Sequence, residues 1–123
     1  MAALASTQIV LIVEDEPLLR MAAVNFISDA GFEALEAGDA AEAIAILESR
    51  PDIRLVFTDI HMPRGMDGLK LTALIRDRWP PIEIVLTSGY GEPSSDALPA
   101  RCAFIPKPYE PEALVGALRK LAA

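Results

Sequence analysis

Four apolar runs in this sequence are followed closely by residues that could do chemistry. Glu14-Asp15-Glu16 follows QIVLIV at 8–13, and Asp59 closes IRLVFT at 53–58. Thr87-Ser88 follows IEIVL at 82–86, and Lys107 follows AFI at 103–105. A carboxylate at the tip of a buried run is penalised by desolvation, so its placement needs a partner or a task. Clustered carboxylates repel, and a divalent cation removes that conflict. Hard oxygen ligands favour Mg²⁺ over Zn²⁺. With a metal and Lys107 balancing charge, Asp59 could act as a nucleophile toward phosphorus, because carboxylates form aspartyl-phosphate intermediates.

Each of these residues also has an ordinary reading. Glu14, Asp15 and Glu16 suit an exposed turn capping the next helix, and Asp59 suits a turn or helix cap. Thr87 alone is a strand-end residue, Lys107 alone a surface lysine, and His61 alone a loop residue. Co-occurrence at four strand ends favours the chemical reading. Other phosphate chemistries fit poorly. No Gly-rich loop with Lys-Ser/Thr is present, and GYGEP lacks a third glycine in step. A phosphatase of the haloacid dehalogenase type needs a second Asp two residues after the nucleophile, where this sequence has His61.

These residues need elements to position them. The three long apolar runs, with FEALE at 32–36 and AFI at 103–105, read as five strands. Near-continuous apolar strands suit a parallel sheet covered on both faces. Helical patterns alternate with them. Pro17 opens one helix carrying Leu18, Met21, Ala22 and Ile27, and Gly31 ends it. Asp39 caps a second, with Ala43, Ile44 and Leu47, which ends before Pro51. Asp67 caps a third, with Leu71, Leu74 and Ile75, stopped by Pro80-Pro81. Pro111 opens a last one with Leu114, Val115, Leu118 and Leu121. The alternation predicts a mostly parallel α/β fold with right-handed crossovers, in a single domain over 1–123 without an output domain. Residues 88–100, SGYGEPSSDALPA, oppose a long helix and predict one or two turns at most.

Composition narrows the function class. The chain has 123 residues, 52% of them hydrophobic, which suffices for one core. Its formal charge is -7, from eleven basic and eighteen acidic residues, which argues against a nucleic-acid surface. No apolar stretch approaches the ~20 residues that span a bilayer, and the N-terminus lacks the basic region of a signal peptide. One cysteine, Cys102, excludes an internal disulfide and fits a reducing cytoplasmic setting.

At this point the sequence resembles a response-regulator receiver domain, CheY-like, over nearly its whole length. The motifs are LIVEDEP at 11–17, TDIHMP at 58–63, MDGLKL at 66–71, VLTSGY at 85–90 and IPKPY at 105–109. The resemblance implies a doubly wound five-stranded parallel sheet of order 2-1-3-4-5. It implies that Asp59 accepts a phosphoryl group from a histidine kinase or phosphotransfer protein. Glu14, Asp15, Asp59 and the backbone carbonyl of His61 would hold Mg²⁺. Thr87 would move to bond the phosphoryl group, Lys107 would pair with one of its oxygens, and Phe104 would swing inward with Thr87. The Lys107-Pro108 peptide would be cis. The domain would modify itself and dephosphorylate slowly rather than turn over a substrate. It would act through protein contacts, as a monomer or weak dimer, away from nucleic acid and membrane.

Two departures stand out. MPRGMDG has one residue more between Pro63 and Asp67 than the commonest receiver pattern, which implies a longer loop over the site. VLTSGY with PKPY partly resembles the FAT GUY receiver subgroup, in which the fourth helix is often altered.

Overall fold

The computed structural model describes residues 7–63, 65–91, 93, 98 and 101–123. Five strands form one parallel sheet: β1 (Ile9–Val13), β2 (Glu33–Ala37), β3 (Leu55–Asp59), β4 (Glu83–Ser88) and β5 (Cys102–Pro106). Their order is β2-β1-β3-β4-β5, as the receiver resemblance implies. The described helices are α1 (Pro17–Asp29), α2 (Ala40–Ser49), α3 (Gly68–Arg78) and α4 (Pro111–Ala122). The expectation of a short, irregular helix over 88–100 falls largely outside the described residues. No described helix is long and apolar enough to cross a membrane.

Local chemistry sets the helix boundaries. Glu16 caps α1 by accepting from the amides of Leu18 and Leu19 at 3.2 and 3.0 Å, with Pro17 in the first turn. Gly31 closes the same helix at φ +100°. Its amide donates to Ser28 and that of Phe32 to Ile27, a Schellman arrangement that glycine adopts without strain. Asp39 and Asp67 cap α2 and α3 through the amides of Glu42 and Lys70, both at 2.9 Å.

The central strands β1, β3 and β4 are largely apolar on both faces because both are covered. Leu11, Val13, Val56, Ile84 and Leu86 pack with Ala43 and Leu47 of α2 and Leu71 and Ile75 of α3. Val10, Ile12, Leu55, Phe57 and Val85 pack with Ala23 and Ile27 of α1 and Leu114 and Leu118 of α4. Period-2 alternation therefore sorts neighbouring strand residues into two separate cores.

Leu18 and Met21 share helical spacing with Ile27, but they are 71% and 58% exposed. The inward face of α1 is Ala23 and Ile27. The strands also run further than their apolar residues. β3 includes Asp59, and β4 includes Thr87 and Ser88, because ladder hydrogen bonds rather than hydropathy set the strand ends.

Candidate functional site

The site forms where the strands end. β1 lies between β2 and β3, so Glu14 just beyond β1 sits beside Asp59 at the tip of β3. Asp59 is paired across the ladder with Thr87 of β4. Lys107 follows β5, and its amide donates to the Ser88 carbonyl at 2.9 Å. From there its ammonium reaches back over the edge, with Nζ 2.7 Å from Asp59 Oδ2 and 3.0 Å from Glu14 Oε1. Both carboxylates are buried.

The free oxygens are placed as well. Asp59 Oδ1 accepts from the His61 amide at 3.1 Å, and Glu14 Oε2 accepts from the Glu16 amide at 3.2 Å. Glu14, Asp15 and Asp59 each offer a carboxylate oxygen, and these atoms lie within 4.8 Å of one another. An open depression of about 550 Å³ is lined by these acids, Lys107, His61, Tyr90, Leu19, Glu16 and Gly89. The His61 and Tyr90 rings meet edge-on at its rim, 4.5 Å between centroids. The peptide joining Lys107 to Pro108 is cis.

Not every predicted residue converges. Of the acidic triplet, Glu16 turns its carboxylate to the α1 amides and acts as the cap, while Glu14 and Asp15 join Asp59. Thr87 is adjacent to Asp59 in the sheet but buried, and its hydroxyl has no hydrogen-bond partner among the described residues. Phe104 lies one strand further out, half-buried against the core shared by α2 and α3, and does not line the depression.

The site is thus a strand-tip aspartate under a lysine, with two neighbouring acids. The family model for the response regulator receiver domain matches residues 10–119. This chain belongs to the response regulator receiver family.

Relatives share this receiver at moderate identity. Sensor kinase CckA of Brucella abortus is 33% identical over 122 residues, which is 96% of this chain and 13% of that protein. Response regulator protein FleR of Pseudomonas aeruginosa is 38% identical over 109 residues, 86% of this chain and 23% of that protein. The receiver thus spans under a quarter of either relative. Among solved structures, a receiver protein from Sinorhizobium medicae superposes with a TM-score of 0.87 at 26% identity, covering 94% of both chains. The receiver domain from hybrid histidine kinase CckA gives 0.80 at 30% identity, covering 94% of this chain and 99% of that one. The family places this receiver in two-component signal transduction, as a regulatory phosphoacceptor module.

The electrostatics of the receiver's site follow from burial. Burial is the largest influence on Glu14 and raises its pKa, with the Asp59 charge adding to it, although Lys107 and the Glu16 amide pull the other way. Burial alone would lower Lys107, but its bonds to Asp59 and Glu14 outweigh that and hold it above 10.5. Three carboxylates and one ammonium leave two uncompensated negative charges within a few ångströms. Oxygen donors already gathered, with that surplus charge, fit a hard divalent cation such as Mg²⁺.

Two residues that support the site had no role in the sequence reading. A Cβ on Gly68 would stand 2.1 Å from the Asp59 carbonyl oxygen, so only glycine lets α3 begin against the end of β3. Its amide donates to Ile60 at 2.8 Å. The available signal was a glycine directly after the Asp67 cap, where helix propensity alone does not favour one. The second, Arg20, donates from Nη1 to the Glu14 carbonyl at 2.8 Å, and it has no sequence signal beyond being a cation on α1 six residues after Glu14.

Proposed function

We propose that this receiver takes a phosphoryl group onto Asp59 from a phosphohistidine on a histidine kinase or phosphotransfer protein. Mg²⁺ would be held by Glu14, Asp15, Asp59 and the backbone carbonyl of His61. The observation that carries the reading is the Asp59 carboxylate itself. One oxygen is bound by Lys107 and the other by the His61 amide, in an open depression beside two more acids. A nucleophile fixed at both oxygens spends little entropy on orientation.

In the transfer, an Asp59 oxygen bonds to phosphorus as the phosphorus–nitrogen bond of the donor breaks, and the histidine nitrogen leaves with that electron pair. Bound Mg²⁺ would offset charge on the transferring group. Lys107 moves from pairing two carboxylates to pairing a phosphoryl oxygen. The Thr87 hydroxyl, buried and unpartnered, gains an acceptor when the phosphoryl group arrives. Phe104 follows Thr87, so charge at the site changes the surface around β5. Self-dephosphorylation by water, slow beside the transfer, resets the domain.

The donor's protein character has support of its own. Leu18, Leu19 and Met21 are large apolar side chains exposed on the first turns of α1, and Leu19 also lines the depression. Such a patch continuous with the reacting site suits an apolar face of the phosphodonor.

Intact mass after incubation with acetyl phosphate tests the reading, with and without Mg²⁺, for wild type and Asp59→Asn. One added phosphoryl group that needs both Mg²⁺ and Asp59 is expected. Equal labelling of Asp59→Asn would refute it, and steady turnover of many phosphate esters would indicate a hydrolase instead.

A further inference from the structure

Arg20 is half-buried on the first turns of α1 and does not line the phosphoacceptor depression. Its guanidinium makes two directed contacts. Nη1 donates to the backbone carbonyl of Glu14 at 2.8 Å, and Nε donates to Glu36 Oε1 at 3.0 Å. Nη1 also lies beside Gly38, whose amide donates to Glu42 Oε1 at 2.6 Å. The Glu14 amide is tied to the same strand, donating to the Ala37 carbonyl at 3.1 Å. Both backbone polar groups of Glu14 are therefore anchored to the end of β2, one directly and one through Arg20 and Glu36. The Glu14 side chain meanwhile carries the contact to Lys107.

The carbonyl that Arg20 holds belongs to the peptide between Glu14 and Asp15. The plane of that peptide sets the direction in which Asp15 leaves the chain, and hence the spacing of the two carboxylates. Mutual repulsion would otherwise favour turning them apart. We propose that Arg20 is a positioning residue for divalent-cation binding, which fixes the Glu14–Asp15 peptide through the backbone and braces it on Glu36. The proposal rests on the phosphoacceptor reading above. A planar fork is suited to this role because it reaches two acceptors at a fixed angle, which an ammonium does not reproduce. Contacts of this kind, one step removed from the ligands, commonly control metal affinity about ten- to a hundredfold.

The test titrates Mg²⁺ alone into the isotope-labelled full chain, following the amide resonances of Asp15, Asp59 and His61. Urea unfolding of the same samples without metal runs alongside. Arg20→Met is expected to weaken Mg²⁺ about tenfold, Arg20→Lys to recover part of that, and Glu36→Gln to lose about threefold. At saturating Mg²⁺, labelling of Arg20→Met by acetyl phosphate should return to near the wild-type rate, because Arg20 touches no reacting atom. An Arg20→Met affinity matching wild type overturns the proposal. So does Arg20→Lys binding no better than Arg20→Met at equal stability, which would mark a general structural role. Should Arg20→Met not fold, Glu36→Gln carries the test, and an unchanged affinity there overturns it. A wild type whose resonances ignore Mg²⁺ would overturn the metal-site reading and this proposal together, and that result is visible before any variant is made.

Discussion

Lys107 Nζ lies 2.7 Å from Asp59 Oδ2 although 48 residues separate them. The same ammonium is 3.0 Å from Glu14, so one cation holds two buried carboxylates together. Removing it leaves those carboxylates facing each other without compensation. Lys107→Met should destabilise the metal-free chain by about 2 kcal/mol in urea unfolding. Mg²⁺ should restore part of the loss. Labelling by acetyl phosphate should fall about a hundredfold even at saturating Mg²⁺. A variant labelled at the wild-type rate would remove Lys107 from the transfer.

Stability should depend on pH through Glu14. Its pKa is raised in the folded chain, chiefly by burial. The folded state therefore binds that proton more tightly than the unfolded one. The resulting contribution is present below the ordinary value of 4.5 and is lost as pH rises through the folded value. Lys107, also raised, keeps its contribution up to 10.5 and loses it only above, so the two windows do not overlap. Near neutral pH, Glu14 ionised is then a cost to the metal-free fold. Glu14→Gln keeps an acceptor for Lys107 and gives up only the longer bond from the Glu16 amide, so with the buried charge removed it should melt higher than wild type without Mg²⁺. The gap should close as pH falls toward 4.5. Calorimetry across that range decides, and a variant melting below wild type at neutral pH would contradict the burial argument.

Gly68 should tolerate no side chain. Gly68→Ala places a methyl group 2.1 Å from the Asp59 carbonyl oxygen, and backbone rather than a flexible side chain must yield. A loss of about 3 kcal/mol is expected in chemical denaturation. The disturbance should extend to Asp59, seen as slower labelling. A neutral substitution would mean that the start of α3 is free to shift.

Thr87 offers a separation of stability from signalling. Its hydroxyl is buried without a partner among the described residues, so Thr87→Val removes an unsatisfied group at nearly constant volume. The variant should be more stable than wild type by about 1 kcal/mol. It should still take up a phosphoryl group on Asp59, but amide shifts around Phe104 on labelling should shrink. Shifts of wild-type size would detach Phe104 from Thr87.

Much of this protein is written locally. Apolar runs closed by acids, Asp39 and Asp67 ahead of helical spacing, and Gly31 after it are short-range signals. They delimit nine described elements because capping and strand burial depend on neighbours within a few residues. The same signals made Asp59 conspicuous, as an acid that ends an apolar run. The strand order came from family resemblance, since periodicity is silent on which strands adjoin.

Tertiary structure decided what those residues meet. Placing β1 between β2 and β3 put Glu14 beside Asp59, and the return from β5 brought Lys107 over both. It also divided the acidic triplet, giving Glu16 to the α1 amides and leaving Glu14 and Asp15 to the site. It left Leu18 and Met21 exposed although they share helical spacing with the buried Ile27. Gly68 and Arg20 meet the backbone of residues outside their own helices, an approach that no pattern of side-chain types along the chain records. Helical and strand periods report which face of an element is apolar. Contacts between elements depend on how crossovers stack both faces of the sheet, and that is settled only when the whole core packs.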